Sequence, residues 1–243
     1  MFFFKRKEVT IDFFINNEKF ANLYAPKKAS SYLPDWWKSL APYYEQQNEV
    51  TQRMRPSSTM RFCSGFKDLY ASGFILPLWS DLIIDVNKEN YFYMFADKAS
   101  SSQEHSAKQH GNSFNNFHHM KIGSPWYAVE KSGVKFAFIE PTWSWIRERH
   151  ALRILPAVVS YDLQSATNIN IFLEKKEEEY RVQIDAGDPI VHLIPLTDKK
   201  VNLKTHFVNQ LEYDLIATRN PPTKFVGSFE VYKKFMRNQK VRR

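Results

Sequence analysis

Three apolar runs between positions 152 and 196 form the clearest pattern in the chain. They span 154–159, 169–173 and 190–196, and they have the length and the β-branched residues of buried strands. The stretch 185–189 (DAGDP) precedes the third run. Its glycine suits a tight turn, and its proline sets φ where the next strand begins. The pattern predicts three strands joined by polar or charged turns.

Shorter apolar or alternating segments predict further strands on both sides of this region. We expect hairpins from 9–15 with 20–24, from 82–86 with 91–95, and from 126–130 with 134–140 around Gly133, together with strands at 74–78 and 201–207. Two short helices are predicted, at 33–40 and at 64–72, the second ended by Gly73 in a left-handed conformation. The polar stretches 43–58 and 99–116 predict exposed loops.

These elements predict a mainly β fold, an antiparallel β-sandwich (jelly-roll-like) or a barrel-like clip of strands with a few short helices and a C-terminal helix. We expect a main β domain over 1–205 and an extension over 206–243. The predicted core consists of Ile75, Leu78, Ile83, Phe136, Phe138, Ile154, Val158, Ile169, Ile171, Ile190 and Leu193.

The extension contains a predicted basic helix over 229–241, capped by Ser228. Between positions 228 and 243 there are six Lys or Arg residues against one Glu. Its basic side chains suggest either a helix that docks on the domain or a tail that contacts a neighbouring subunit or, weakly, nucleic acid. The residues in question are Lys233, Lys234, Arg237 and Lys240.

Composition narrows the classes of function. The net charge is +8 with a pI near 9.4, which suits solubility or an anionic partner. Cys63 is the single cysteine, so neither an intrachain disulfide nor a cysteine zinc site is expected. The sequence has no glycine-rich phosphate-binding motif, no apolar run long enough to span a membrane and no signal-peptide pattern, so we expect no membrane contact.

Polar residues at the ends of the key strands are the candidate chemistry. Ser160, Asp162, Asp185 and Asp188 would line a pocket if a clip of strands brought them together. The alternative is that they are turn residues, because aspartate bends turns through its own side chain. No complete catalytic, cofactor-binding or metal-binding set follows from the sequence.

Three other groups have a structural and a functional interpretation. Trp36 and Trp37 are expected to pack on a sheet, with stacking on a base or ligand as the alternative. The lysines near 199–204 either guard a sheet edge or contact phosphate. The clustered histidines are interpreted as part of a solvated loop and, alternatively, as metal ligands; they are His105, His110, His118 and His119.

Several segments, in this order, resemble an uncharacterised family encoded by tailed phages, including cyanophages. They are 33–43, 62–82, 121–126, 152–162 and 184–196. The positions that match the family pattern are Cys63, Asp68, Gly73, Pro77, Leu78, Trp126, Gly187, Pro189 and Pro195. The chain departs from the pattern at Ser64, where the family has proline, and at Ser160, where it has aspartate. The resemblance implies a phage origin and assigns no reaction.

A looser likeness is to the strand clip of dUTPases and dCTP deaminases, carried by 157–160 and 187–193. In those enzymes an acid positions the attacking water, and this chain has Ser160 there; His192 replaces a glutamine. The likeness implies shared strand topology without the activity.

The sequence thus favours a non-enzymatic phage protein, located in the virion or the host cytoplasm, that contacts other phage structural proteins or copies of itself. The alternatives are a phage accessory enzyme acting on nucleotides through a dUTPase-like pocket and a cupin-like metal oxygenase.

Overall fold

The computed structural model describes residues 8–98, 100–111, 113–144 and 151–218. Strands dominate this part of the chain. The strands are β1 Val9–Ile15, β2 Lys27–Lys28, β3 Tyr43–Gln47, β4 Met54–Ser58, β5 Phe74–Pro77, β6 Leu82–Val86, β7 Tyr91–Phe95, β8 Ser102–Glu104, β9 Phe117–Gly123, β10 Tyr127–Glu130, β11 Phe136–Ile139, β12 Leu152–Ile154, β13 Ala157–Val159, β14 Asn168–Glu174, β15 Tyr180–Ile184, β16 Pro189–Pro195 and β17 Val201–Phe207.

Helices are short in the same residues. The α-helices are α1 Glu18–Leu23, α2 Asp35–Lys38, α3 Ser64–Ala71 and α4 Gln210–Ala217, and single 3-10 turns cover Ala29–Tyr32, Met60–Phe62, Ala107–His110 and Thr142–Ser144. None of the helices in the described residues is long and apolar enough to cross a membrane.

The strands form five sheets, and in the described chain none of them closes into a ring. The orders are β10-β1-β17, β13-β11-β16-β5-β2, β12-β14-β9-β8, β15-β6-β7 and β3-β4. Strands β1 and β17 pair in parallel, while the other pairs are antiparallel. Side chains from four of these sheets share one core, as in a sandwich. The predicted fold class, mainly β with antiparallel sheets, short helices and a helix towards the C-terminus, is confirmed.

The second and third apolar runs between positions 152 and 196 form β14 and β16. The first, predicted as one strand over 154–159, is divided between β12 and β13, which join different sheets. The runs therefore do not form one unit. β14 pairs with β9 and β12, whereas β16 pairs with β5 and β11. Between them lies β15, a strand that the charged sequence around it hid; it pairs with β6. The consecutive strands β14, β15 and β16 therefore belong to three different sheets.

Two predicted hairpins are wrong. The residues 20–23 belong to helix α1, and Tyr24 is its C-cap. The N-cap Asn17 accepts a hydrogen bond of 3.1 Å from the backbone N–H of Phe20, as a helix start requires. Strands β10 and β11 do not pair with each other, because β10 joins β1 and β11 joins β13 and β16.

The turn between β10 and β11 is organised by Glu130, the last residue of β10, which is 1% exposed. Its carboxylate accepts hydrogen bonds from the backbone N–H groups of Ser132 and Val134, at 2.6 and 2.8 Å, and from the Ser132 hydroxyl. A side chain, and not a strand ladder, thus closes this turn, and the two strands diverge from it.

Most of the predicted core is buried, with two exceptions. Ile83 is half-buried because it points outward on β6, whose side chains alternate between the core and the surface. Val158 is 59% exposed because β13 is the last strand of its sheet. A strand at the edge of a sheet leaves more of its surface to solvent, which an apolar run in the sequence does not reveal.

A second, smaller apolar cluster lies outside the shared core. It is built on α2 and α3, both confirmed in type with shorter bounds than predicted. Its buried members are Ala29, Trp37, Phe66, Tyr70 and Ile75. The predicted left-handed terminator of α3 is also confirmed, since Gly73 has φ of 76°.

Two predicted loops are wrong in part. The stretch 43–58 is a hairpin of β3 and β4, exposed along nearly its whole length. The stretch 99–116 includes β8 and the 3-10 turn Ala107–His110.

The predicted domain boundary at 205/206 stays a prediction. Helix α4 lies beyond it and still contacts the β structure: the Tyr213 hydroxyl donates to the carbonyl oxygen of Pro125 at 2.8 Å, and the Ser165 hydroxyl donates to that of Ile216 at 2.8 Å. The predicted basic helix at 229–241 lies outside the described residues.

Candidate functional site

Asp185 and Asp188 lie in the turn that leads into β16, and the turn uses both. The Asp185 N–H donates to the Asp188 carboxylate at 3.2 Å, and the Asp188 N–H donates to the Asp185 carbonyl oxygen at 3.1 Å. Between them Gly187 has φ of 95°, and its N–H donates to the carbonyl oxygen of Leu78 at 2.7 Å. These contacts support the interpretation of both aspartates as turn residues.

Ser160 and Asp162 lie at the other end of β16. Val159 aligns with Phe136, which aligns with Pro195, the last residue of β16, whereas Asp188 directly precedes its first residue. A seven-residue strand spans roughly 20 Å. The four residues predicted to share a pocket are therefore two separate pairs.

The turn at Ser160 is built around a buried side chain. Tyr161 is fully buried, and its hydroxyl shares a hydrogen bond of 2.9 Å with Thr167. The Ser160 carbonyl oxygen accepts from the N–H groups of Leu163 and Gln164, at 3.0 and 3.2 Å. Burial raises the pKa of Tyr161, so the phenol stays protonated.

A cleft of about 470 Å³ lies beside the Asp185–Asp188 turn. Asp81 joins the two, because its Oδ1 accepts a hydrogen bond of 2.7 Å from the N–H of Ala186. Trp79 and Phe20, 1% and 5% exposed, belong to the cleft lining and to the core. An apolar wall with a few charged groups is typical of small-molecule sites.

Charged side chains of both signs line this cleft. Lys19 and Lys98 line it together with Asp81 and Asp97. No sequence pattern singles out these four residues, because they come from a helix and from two loops that approach each other only in the folded chain.

A hydrogen-bond network holds Trp79 in place. Its Nε1–H donates to the Ser100 hydroxyl at 2.8 Å, and that hydroxyl donates to Asp97 Oδ2 at 2.7 Å. The Asp97 N–H donates to the Ser80 hydroxyl at 2.8 Å. An adjoining cleft of about 320 Å³ extends past Trp79 to Tyr127. The arrangement can hold a small polar molecule.

The tryptophan pair is part of the second apolar cluster. The Trp37 indole N–H donates to the Met60 carbonyl oxygen at 3.0 Å, its ring stacks on Phe66 at 5.4 Å, and the Arg61 guanidinium lies 4.9 Å from its centroid. The Trp36 indole N–H donates to the carbonyl oxygen of Trp143 at 3.0 Å. Both indoles thus have structural partners, which supports the packing interpretation.

The β3–β4 hairpin is an exposed arm in a stretch whose sequence predicts only a loop. Asn48 at its tip accepts hydrogen bonds from the N–H groups of Val50 and Thr51, at 3.1 and 2.9 Å, and Gln52 has φ of 55°. An asparagine that closes a turn through its own side chain is the signal that was available.

The solvated-loop interpretation is wrong for two of the four clustered histidines, because only His105 and His110 lie outside strands. His118 and His119 lie on β9, and His118 is buried with its Nε2 2.9 Å from the carbonyl oxygen of Asn87. His105 and His110 approach His119 from the neighbouring segment. Within the described ranges, no three His, Cys, Asp or Glu side chains are already arranged to hold a metal ion.

Two basic groups remain. Lys28, Lys199 and Lys200 line a polar cleft of about 310 Å³, and Lys200 pairs with Glu8 at 3.1 Å. The basic residues of the predicted C-terminal helix lie outside the described part of the chain; they are Lys233, Lys234, Arg237 and Lys240.

The fold and these surfaces define a mainly β protein of open sheets with an exposed hairpin arm and a polar cleft. Compared with known families and with curated proteins, the chain matches neither a family model nor a curated sequence.

Proposed function

We propose that this protein acts by contact with other protein molecules, as a component of a larger assembly. The β3–β4 hairpin is the observation that carries the proposal. In the described chain its two strands pair with each other and with no other strand, and both faces are exposed.

A lone two-stranded sheet is at best marginally stable in water. Its outer edges also present unpaired N–H and C=O groups, which natural proteins ordinarily shorten, cover or charge. A partner that adds a strand to the edge, or covers a face, stabilises such a hairpin.

The side chains on the hairpin suit a protein partner. Tyr43, Tyr44 and Met54 are 58%, 50% and 57% exposed, and Val50 at the tip is 91% exposed. Aromatic residues and methionine are enriched at protein interfaces. The hairpin carries no net formal charge, because Glu45 and Glu49 balance Arg53 and Arg55. This balance does not favour a polyanion such as nucleic acid as its partner.

The finer proposal is that the assembly is the virion of a tailed phage and that the partners are other structural proteins or copies of this chain. The sequence resemblance to the phage family supports it. Mass spectrometry of purified particles tests it, with stoichiometric copies as the expected result. Absence from the particles would remove the virion proposal.

The role of the hairpin is tested with a double substitution, Tyr44→Asp with Met54→Asp. We expect a folded protein, by circular dichroism, that no longer enters the assembly. The matched control is Val158→Asp, which changes an equally exposed apolar residue on edge strand β13. Incorporation of the double variant at the wild-type copy number would show that the hairpin is not the contact.

A second candidate is an accessory enzyme that acts on nucleotides. The cleft beside the Asp185–Asp188 turn favours it, because Trp79 and Phe20 offer apolar surface beside Asp81 and Lys19. Nucleoside triphosphates are screened with and without Mg²⁺, for turnover and for thermal stabilisation. If neither is seen, or if Asp81→Asn changes neither, the candidate is rejected. A cupin-like oxygenase stays an untested alternative.

A further inference from the structure

Three histidines meet at one edge of the β12-β14-β9-β8 sheet. His119 lies on β9, His105 directly follows β8, and His110 ends the 3-10 turn Ala107–His110. The ring centroids of His105 and His119 are 4.7 Å apart, and those of His110 and His119 are 6.1 Å apart.

Two of these rings have a buried nitrogen without a partner. The Nδ1 atoms of His110 and His119 are inaccessible to solvent and make no hydrogen bond. A buried polar atom left unpaired costs about 1–3 kcal/mol, so it calls for an explanation such as an ion.

In His119 and in His105, one ring nitrogen lies within hydrogen-bond distance of a side-chain amide oxygen. His119 Nε2 lies 3.3 Å from Oδ1 of Asn170, and His105 Nδ1 lies 2.5 Å from Oε1 of Gln109. Since an amide oxygen only accepts, each of these nitrogens carries the proton. The opposite nitrogen therefore carries a lone pair, which is the arrangement of a histidine that binds a metal.

The surroundings of His119 favour its neutral form. The pKa of His119 is lowered, mainly by burial. The nearby His105, His110 and Lys121 lower it further. Phe172 forms an apolar wall, with its ring centroid 5.2 Å from that of His119 and 6.0 Å from that of His110. Neutral imidazole is the form that coordinates metals.

We propose that His105, His110 and His119 form a binding site for one divalent transition-metal ion of the zinc class. Zinc lies about 2.0–2.1 Å from imidazole nitrogen, so rings on one tetrahedral ion have centroids about 5–5.5 Å apart. The two observed separations bracket this value. These two pairs must each move by less than about 1 Å. Rotation of the rings of His105 and His110, which lie outside strands, completes the set.

Tag-free, full-length protein is titrated with Zn²⁺ by calorimetry and with Co²⁺ by absorption spectroscopy at pH 7.5. We expect one ion per chain, visible Co²⁺ bands of imidazole ligation, and an affinity that falls as the pH is lowered, because protons compete with the metal for the imidazole nitrogens. His105→Gln and His119→Gln should each weaken binding at least tenfold.

The matched control is His118→Gln, which changes the neighbouring histidine on the opposite face of β9 and should bind as the wild type does. If a histidine variant fails to fold, Asn170→Ala and Gln109→Ala test the same site, because losing such a partner weakens metal binding by about 10- to 100-fold. The proposal is overturned by the absence of saturable binding at one ion per chain, or by wild-type affinity in folded His119→Gln or in folded Asn170→Ala. Neither result bears on the role of the hairpin.

Discussion

A Cβ atom at Gly73 would lie 2.1 Å from the carbonyl oxygen of Leu193. This contact joins the end of α3 to β16, beside the register pair of Phe74 and Leu193. With φ of 76° the backbone there is also in the left-handed region. The position therefore requires glycine for two independent reasons.

Gly73→Ala should lower the free energy of unfolding by more than about 2 kcal/mol or prevent folding, because the clash is with backbone and the φ is strained. Urea unfolding followed by tryptophan fluorescence measures it. Gly65→Ala in α3 is the control. A Cβ there meets nothing within 4 Å, and stability should be unchanged or slightly raised. Equal stability of the two variants would contradict the prediction.

Glu130→Gln should lower the free energy of unfolding by about 1–3 kcal/mol, because an amide cannot accept all three hydrogen bonds that the buried carboxylate receives. Urea unfolding measures the change. Lys131→Gln, an exposed change in the same turn, should stay within about 0.5 kcal/mol of the wild type. If the Glu130→Gln variant is as stable as that control, the turn does not depend on the carboxylate.

Trp37→Phe should destabilise the protein by about 1–2 kcal/mol, because the Met60 carbonyl oxygen loses its donor and Arg61 loses part of its ring contact. Trp143→Phe changes an indole that is 47% exposed and should have a smaller effect. Chemical denaturation of both variants checks the order. The reverse order would contradict the packing interpretation of the tryptophan pair.

His192 should make stability depend on pH. It is 2% exposed, and its Nε2–H donates to the Ser72 carbonyl oxygen at 2.7 Å. Burial lowers its pKa, and the hydrogen bond opposes this in part. Below about pH 6.5 the unfolded chain therefore binds a proton that the folded chain resists. The stabilisation is complete above that pH and is lost as the pH falls towards the folded pKa.

The measurement is urea unfolding at pH 7, 6 and 5. In His192→Gln the loss of stability between pH 7 and 5 should be smaller than in the wild type. Parallel pH dependences for the two proteins would show that His192 does not contribute.

Short-range signals in the sequence were interpreted correctly. The alternation over 9–15 identified β1, Gly73 marked the end of α3, and the strands β6 and β7 form the predicted hairpin. In each case the information lies within about ten residues, since strand periodicity, a positive φ and a tight turn are local properties.

Long-range pairing was the source of several of the errors. Glu130 redirects the chain through its own side chain, so β10 and β11 part although they are adjacent in sequence. Ser160 and Asp188 are also separated by strand pairing: β13 and β16 belong to one sheet, but the register places Ser160 beyond the last residue of β16 and Asp188 before its first.

By itself the sequence determined most of the segments that become core strands, which face of each is apolar and where several turns fall, because these follow from side-chain alternation and backbone preference. Tertiary structure alone decided that β1 pairs in parallel with β17, that Asp81 reaches Ala186 and that three histidines converge. The physical reason is that strand edges are chemically alike, so their partners are selected by the packing of the whole core.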